Sequence, residues 1–238
     1  MKLDILAIAS HPDDVELSCS GTIASHIARG YKVGILDLTK GEMGTRGTPQ
    51  IRLEESTKAG QVLGISLRKN LGFQDVFFQD DQSHQEEVAK ILRAYQPDIV
   101  LANAVSDRHP DHGKGGSLVT HSCFISGLRR VPTTYEGKVQ DPWRPKFIYH
   151  YIQNNYIEPD LVVDISGFWE EKKASILAYK SQFYDPDSKE PESFISRPEF
   201  LDFIEARSRE MGHKINVKYG EGFTVERVVG VSDLFSII

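Results

Sequence analysis

Residues 3–14 read LDILAIASHPDD. Residues 3–9 are a short apolar run of the kind that forms a strand covered on both faces. The run breaks abruptly into His11-Pro12-Asp13-Asp14. The pattern returns later in the chain. DIVLAN (98–103) is another short apolar run, and His109-Pro110-Asp111-His112 follows it closely.

Working outward, the chain alternates strands and helices. A helix is predicted at about 20–29, ending at Gly30, and a strand at 32–38, KVGILDL. Thr48 is a candidate N-cap with Pro49 in the first turn of a helix reaching about Gly64. Leu67–Leu71 reads as a third strand, 84–95 as a helix, 98–103 as the fourth strand and 113–128 as another helix. This β-α-β-α order implies α/β architecture, a Rossmann-like three-layer sandwich with a mainly parallel sheet. If the strands order as 3-2-1-4, a crevice opens at the carboxyl ends of strands 1 and 4, where ligands bind in open sheets.

Residues 131–145 read as a loop, followed by strands at 147–154 and 161–166, a helix at 167–181 and a polar loop at 184–193. Ser196 and Glu199 fit a capping box for a last helix ending at Gly212. No repeat, low-complexity tract or linker interrupts the 238 residues, so a single domain over 1–238 is expected.

Composition narrows the function classes. A net charge of −6 argues against broad nucleic-acid or anionic-membrane binding. No segment approaches the roughly 18 apolar residues of a membrane span, and the N-terminus lacks a cleavable signal's small-residue site. A soluble cytoplasmic protein is expected. The two cysteines, Cys19 and Cys123, read as reduced, buried residues.

The chemistry concentrates in the two His-Pro-Asp motifs. Alone, each is a good turn sequence, because Pro presets φ and Asp caps the following amides. Two copies at matching carboxyl ends are better explained as a metal site, since zinc accepts both His and Asp and a catalytic zinc keeps one position open. Converging motifs supply three ligands and leave acid/base groups to spare. Between them, Gly41, Gly44 and Gly47 make 40–52 a candidate substrate loop. There, Glu42 is a candidate hydrogen-bond acceptor for a substrate, and Arg46, Arg52 and Arg108 are candidate partners for a substrate carboxylate. Gln182 and Tyr151 are weaker candidates for the pocket. His26, His84, His121, His150 and His213 read as packing or surface residues.

HPDD near the N-terminus with HPDH about a hundred residues later resembles the PIG-L/LmbE-like deacetylases. The likeness extends to DLTKGEMGTRGTPQIRLEES (37–56), AYKSQF (178–183) and KYGEGF (218–223). These resemble the branch that deacetylates N-acetylglucosaminyl-malate in bacillithiol biosynthesis. The resemblance implies His11, Asp14 and His112 as ligands of zinc or ferrous iron, Asp13 as general base, and His109 as oxyanion stabiliser or proton donor. It further implies that Asp111 orients His109 and raises its pKa, that Arg52 contacts the polar end of the substrate, and that the protein forms homo-oligomers around a small-molecule sugar substrate. Other acetylated sugars, a thiol-conjugate amide, or a non-catalytic sugar- or nucleotide-binding module are the alternatives. The absence of G-x-G-x-x-G and of a P-loop weighs against the module.

Overall fold

The computed structural model describes residues 1–237. Strands β1 (Ile5–Ala9), β2 (Val33–Thr39), β3 (Leu67–Phe73) and β4 (Ile99–Ala102) are parallel and lie in the order β3-β2-β1-β4. The crevice predicted between the ends of β1 and β4 is therefore present. Along β1, Leu6 and Ile8 enter one apolar core while Ile5, Ala7 and Ala9 enter the other. That period of two on a strand covered on both faces produces the continuous apolar run.

Helix α1 (Asp14–Ala28) and α2 (Pro49–Leu63) pack on one face, and α3 (Gln82–Tyr95) and α4 (Pro110–Ser126) on the other. Cys19 and Cys123 are free and belong to opposite cores, which rules out a bridge between them. The expected loop at 131–145 carries a small hairpin, β5 (Thr134–Tyr135) with β6 (Lys138–Val139). Its turn residues Glu136 and Gly137 both have positive φ, as a two-residue hairpin turn requires.

Beyond β4 the sheet continues with parallel β7 (Phe147–Tyr151), then β9 (Gly220–Val225), which runs antiparallel to both its neighbours, and β8 (Leu161–Asp164) at the edge. The sequence reading missed β9 as a strand because its glycines lower strand propensity. Those glycines answer a steric need. A Cβ on Gly222 would stand 2.9 Å from Met211 Sδ. Helix α5 (Trp169–Leu177) and α6 (Glu199–His213) enclose a third core with Trp169, Tyr179 and Phe200.

Two helix starts differ from expectation, and both differences place site residues. Helix α1 begins at Asp14 and breaks at Cys19 (φ −140°, ψ 16°), so the predicted start near residue 20 found only its second segment. The Glu221 carboxylate accepts from Gly21 N (3.0 Å) and Thr22 N (2.7 Å) there, and Lys172 Nζ lies 2.6 Å from Glu221. Helix α4 begins at Pro110 rather than 113, so HPDH is its first turn, with Pro110 in the N-terminal position that suits it. The capping box forms one turn earlier than expected, between Ser193 and Ser196, and α6 has no side-chain cap. Among the described residues no helix is long and apolar enough to cross a membrane.

Candidate active site

Asn103, directly after β4, ties the two strand ends together. Its Oδ1 accepts from Ser10 N (2.8 Å), and its Nδ2 donates to Asp14 Oδ2 (3.0 Å). Asp14 Oδ2 also accepts from His11 N (2.9 Å), and Asp14 Oδ1 accepts from Gln153 Nε2 (3.2 Å). Both oxygens of Asp14 are thus oriented before any ligand arrives. Burial opposes its charge, but His112 and hydrogen bonds from His11 and His112 hold its carboxyl well below the usual range.

The two motifs converge on Asp14. His112 Nε2 lies 3.0 Å from Asp14 Oδ1, while His112 Nδ1 lies 2.6 Å from Asp107 Oδ2. His11 Nδ1 lies 3.6 Å from Asp14 Oδ2, while His11 Nε2 lies 3.0 Å from Asp75 Oδ1 and 3.4 Å from Asp111 Oδ2. Burial works against charge on both imidazoles. Hydrogen bonds to Asp111, Asp14 and Asp75 nonetheless raise His11 well above its usual range. The Asp14 charge and the Asp107 hydrogen bond raise His112 to about 9.

This donor set fits a divalent cation. Ligands bonded to zinc at about 2.0–2.2 Å in a tetrahedron stand roughly 3.3–3.6 Å apart. The His11–Asp14 contact at 3.6 Å is of that size, and the His112–Asp14 contact at 3.0 Å, to the other oxygen, is shorter. Each imidazole also has its other nitrogen held by a carboxylate, the arrangement that orients ligating histidines. Among the described residues, the groups whose donor atoms all lie within 4.8 Å of one another are His11–His109–His112 and His11–Asp75–Asp111, and the trio on Asp14 is not one of them. His11 belongs to both. The group on Asp14 uses the nitrogen of each imidazole that the outer carboxylates leave free.

Asp13 sits beside this cluster in a left-handed backbone conformation (φ 115°, ψ −24°). Burial lifts its carboxyl to about 7, against the pull of the Arg52 charge and with a further push from Asp14. His109 is half-buried, its ring 4.7 Å from that of His11 and 5.1 Å from that of His112. Its Nδ1 accepts from Asp111 N (3.3 Å) as the N-cap of α4, which puts the proton of the neutral ring on Nε2.

Several sequence expectations are corrected. The Asp111 carboxylate does not hold the His109 ring. It accepts from Val76 N (2.9 Å), pairs with Lys114 (2.8 Å) and faces His11. His109 is accordingly lowered, by burial first and then by the charges of His11 and His112. Arg52 is turned inward onto Asp13 Oδ2 (2.9 Å) and the carbonyls of Pro12 and Gly41. Glu42 is spent on Asp75 N (2.8 Å) rather than opened to a sugar. Arg46 straps the 183–190 segment through Phe183 O, Ser188 and Glu190. Tyr151 is core, with its hydroxyl donating to Ile8 O (2.9 Å). Gln182 does line the pocket, and its amide donates to Arg46 O (2.8 Å).

Arg108 is exposed at the rim, its guanidinium 4.3 Å over the Phe194 ring. No carboxylate among the described residues pairs with it. The pocket is a cavity of about 210 Å³ lined by His11, Asp13, Asp14, His109 and His112. Leu17, Phe194, Phe200, Ile204 and Met211 add apolar lining. The sequence reading missed Asp75, Asp107, Asn103 and Gln153. Asp75 and Asn103 had a signal, since both stand just past the carboxyl ends of strands, β3 and β4.

The PIG-L family description, GlcNAc-PI de-N-acetylase, matches residues 6–123, the stretch that contains both motifs. The chain belongs to the PIG-L family. Within it, the chain is 29% identical to a diacetylchitobiose deacetylase of Thermococcus kodakarensis over 189 residues, covering 75% of this chain and 70% of that one. It is 25% identical to a 4-oxalmesaconate hydratase of Pseudomonas putida over 190 residues, covering 74% and 73%. Among solved structures, the conserved protein TT1542 of Thermus thermophilus superposes with a TM-score of 0.87 at 36% identity, covering 98% of each chain.

Proposed function

We propose that this PIG-L family deacetylase removes the N-acetyl group of an N-acetylglucosamine conjugate, with N-acetylglucosaminyl-malate as its substrate. Residues 1–238 act as one deacetylase unit. The observation that carries the reading is the convergence of His11 and His112 on Asp14, with Asp13 alongside. In it, His11, Asp14 and His112 hold zinc or ferrous iron, which when bound acidifies water and polarises the acetyl carbonyl.

The chain's own residues supply the proton transfers. Asp13 has one oxygen held by Arg52, and no donor among the described residues reaches the other. That free oxygen takes the proton of the attacking water, and a carboxyl near 7 suits a base working at neutral pH. His109 is the neutral ring with its proton on Nε2, so it donates a hydrogen bond to the developing oxyanion. A neutral imidazole is a poor acid, and Asp13 therefore passes its newly gained proton to the leaving amine. Arg108, unpaired at the rim, takes the malate carboxylate.

The test is to load the purified protein with metal and follow free-amine release from N-acetylglucosaminyl-malate, with and without a chelator. Metal-dependent release supports the reading. Equal turnover of an acid-free N-acetylglucosamine glycoside would remove malate and Arg108 from it. Absence of amide cleavage would favour water addition of the kind named for the Pseudomonas putida relative.

A further inference from the structure

Arg52 was expected to meet the substrate, yet its side chain is only 6% exposed and its guanidinium is committed inside the protein. Nη2 donates to both the Pro12 carbonyl and Asp13 Oδ2, and Nη1 donates to the Gly41 carbonyl (3.4 Å). Its Nε is buried with no acceptor among the described residues. The three acceptors come from two separate loops, and Arg52 itself comes from the second turn of α2.

We propose that Arg52 is the positioning residue of Asp13, a guanidinium bolt that locks the HPDD turn onto the Gly41 loop and leaves one Asp13 oxygen free for proton transfer. The proposal rests on Asp13 being the base. Residues with a Cβ rarely adopt the Asp13 backbone conformation, so something must hold it. Arg52 grips the residue at two points, the carbonyl before it and its own carboxylate. Because both contacts end on Nη2, the carboxylate is fixed relative to its own backbone.

Gly41 is part of the same device. Its φ is +64°, and a Cβ there would stand 2.1 Å from Arg52 Nη1 and 2.7 Å from Cζ. Only glycine lets the guanidinium come this close. A lysine at position 52 carries the charge but not the fork, and its single ammonium cannot reproduce the three directions.

The test combines kinetics and structure. Arg52→Ala is assayed on N-acetylglucosaminyl-malate and on diacetylchitobiose, and its crystal structure is determined. Positioning predicts that kcat falls about 100-fold while KM and bound metal stay unchanged. Added guanidinium then restores kcat and methylammonium does not, and Asp13 relaxes to negative φ in the crystal. Arg52→Lys and Gly41→Ala reproduce the kcat loss, and they carry the test if Arg52→Ala fails to fold.

A raised KM with intact kcat would show that Arg52 grips substrate and would overturn the proposal. So would an Asp13 that keeps its conformation without the guanidinium, a readout that stands even if neither amide is cleaved. Failure of the base reading looks different. There Asp13→Ala retains full activity whatever Arg52 does.

Discussion

The two His-Pro-Asp turns have the same first three residues and the same place in the sheet, yet they are built in opposite ways. In HPDH, Pro110 opens a regular helix, His109 caps it, and the Asp111 carboxylate is taken up by Val76 N, Lys114 and the outer nitrogen of His11. In HPDD, no side chain caps α1, Asp13 is left-handed, and its carboxylate stays at the pocket under the hold of Arg52. The fourth residues, Asp14 and His112, meet at 3.0 Å. The first residues diverge electrostatically. His11, among carboxylates, is raised, and His109, beside two imidazoles, is lowered. Identical tripeptides thus differ through their neighbours, and the strained copy is the one whose Asp we propose as the base.

The largest effect that can break this comparison lies in the two third-position aspartates. Asp13→Asn lowers kcat on the order of 10³-fold at saturating metal. Asp111→Asn weakens metal binding about 10–100-fold instead, and excess metal restores its rate. Parallel metal titrations of both variants, followed by amine release, check this. Equal catalytic loss in both at saturating metal would mean that the turns do the same work.

The histidines come next. His109→Ala should lose about 10²–10³-fold in kcat as an oxyanion donor. His109→Gln should recover part of that loss, because a glutamine amide still donates a neutral N–H. An imidazolium role would make Gln as poor as Ala.

A smaller effect appears in stability. His112 is raised to about 9 in the metal-free fold. The stability it lends is complete below about pH 6.5, its unfolded value, and is lost as the pH climbs through 9. Thermal melts in chelator should therefore fall across that window, and His112→Gln should flatten the fall. With metal bound the trend reverses, since ligation needs the unprotonated ring. The smallest effect is at the rim. Arg108→Ala should raise KM for the malate conjugate roughly two- to fivefold, as for an exposed ion pair, and leave an uncharged glycoside untouched.

Much of the frame was legible because it follows from local pattern. Apolar runs at 3–9 and 98–103, followed by His-Pro-Asp, place two strand ends side by side, and Thr48-Pro49 fixes the start of α2. What stayed hidden is long-range. Arg52 pairs with Asp13 across 39 residues and Asn103 reaches Asp14 across 89, and neither spacing leaves a mark on sequence. The start of α1 stayed hidden for a local reason, because a left-handed Asp before a helix broken at Cys19 reads as a turn. Arg46 and Arg52 misled because a guanidinium suits a substrate carboxylate and an internal acceptor equally well.

The donor atoms around His11 allow more than one metal position, so the most direct measurement is a zinc-edge anomalous difference map from crystals grown with zinc. The account predicts one peak, about 2.0–2.2 Å from His11, Asp14 and His112, with Asp75 and Asp107 beyond bonding distance. A peak enclosed by His11, Asp75 and Asp111, or by the three histidines without Asp14, would contradict it.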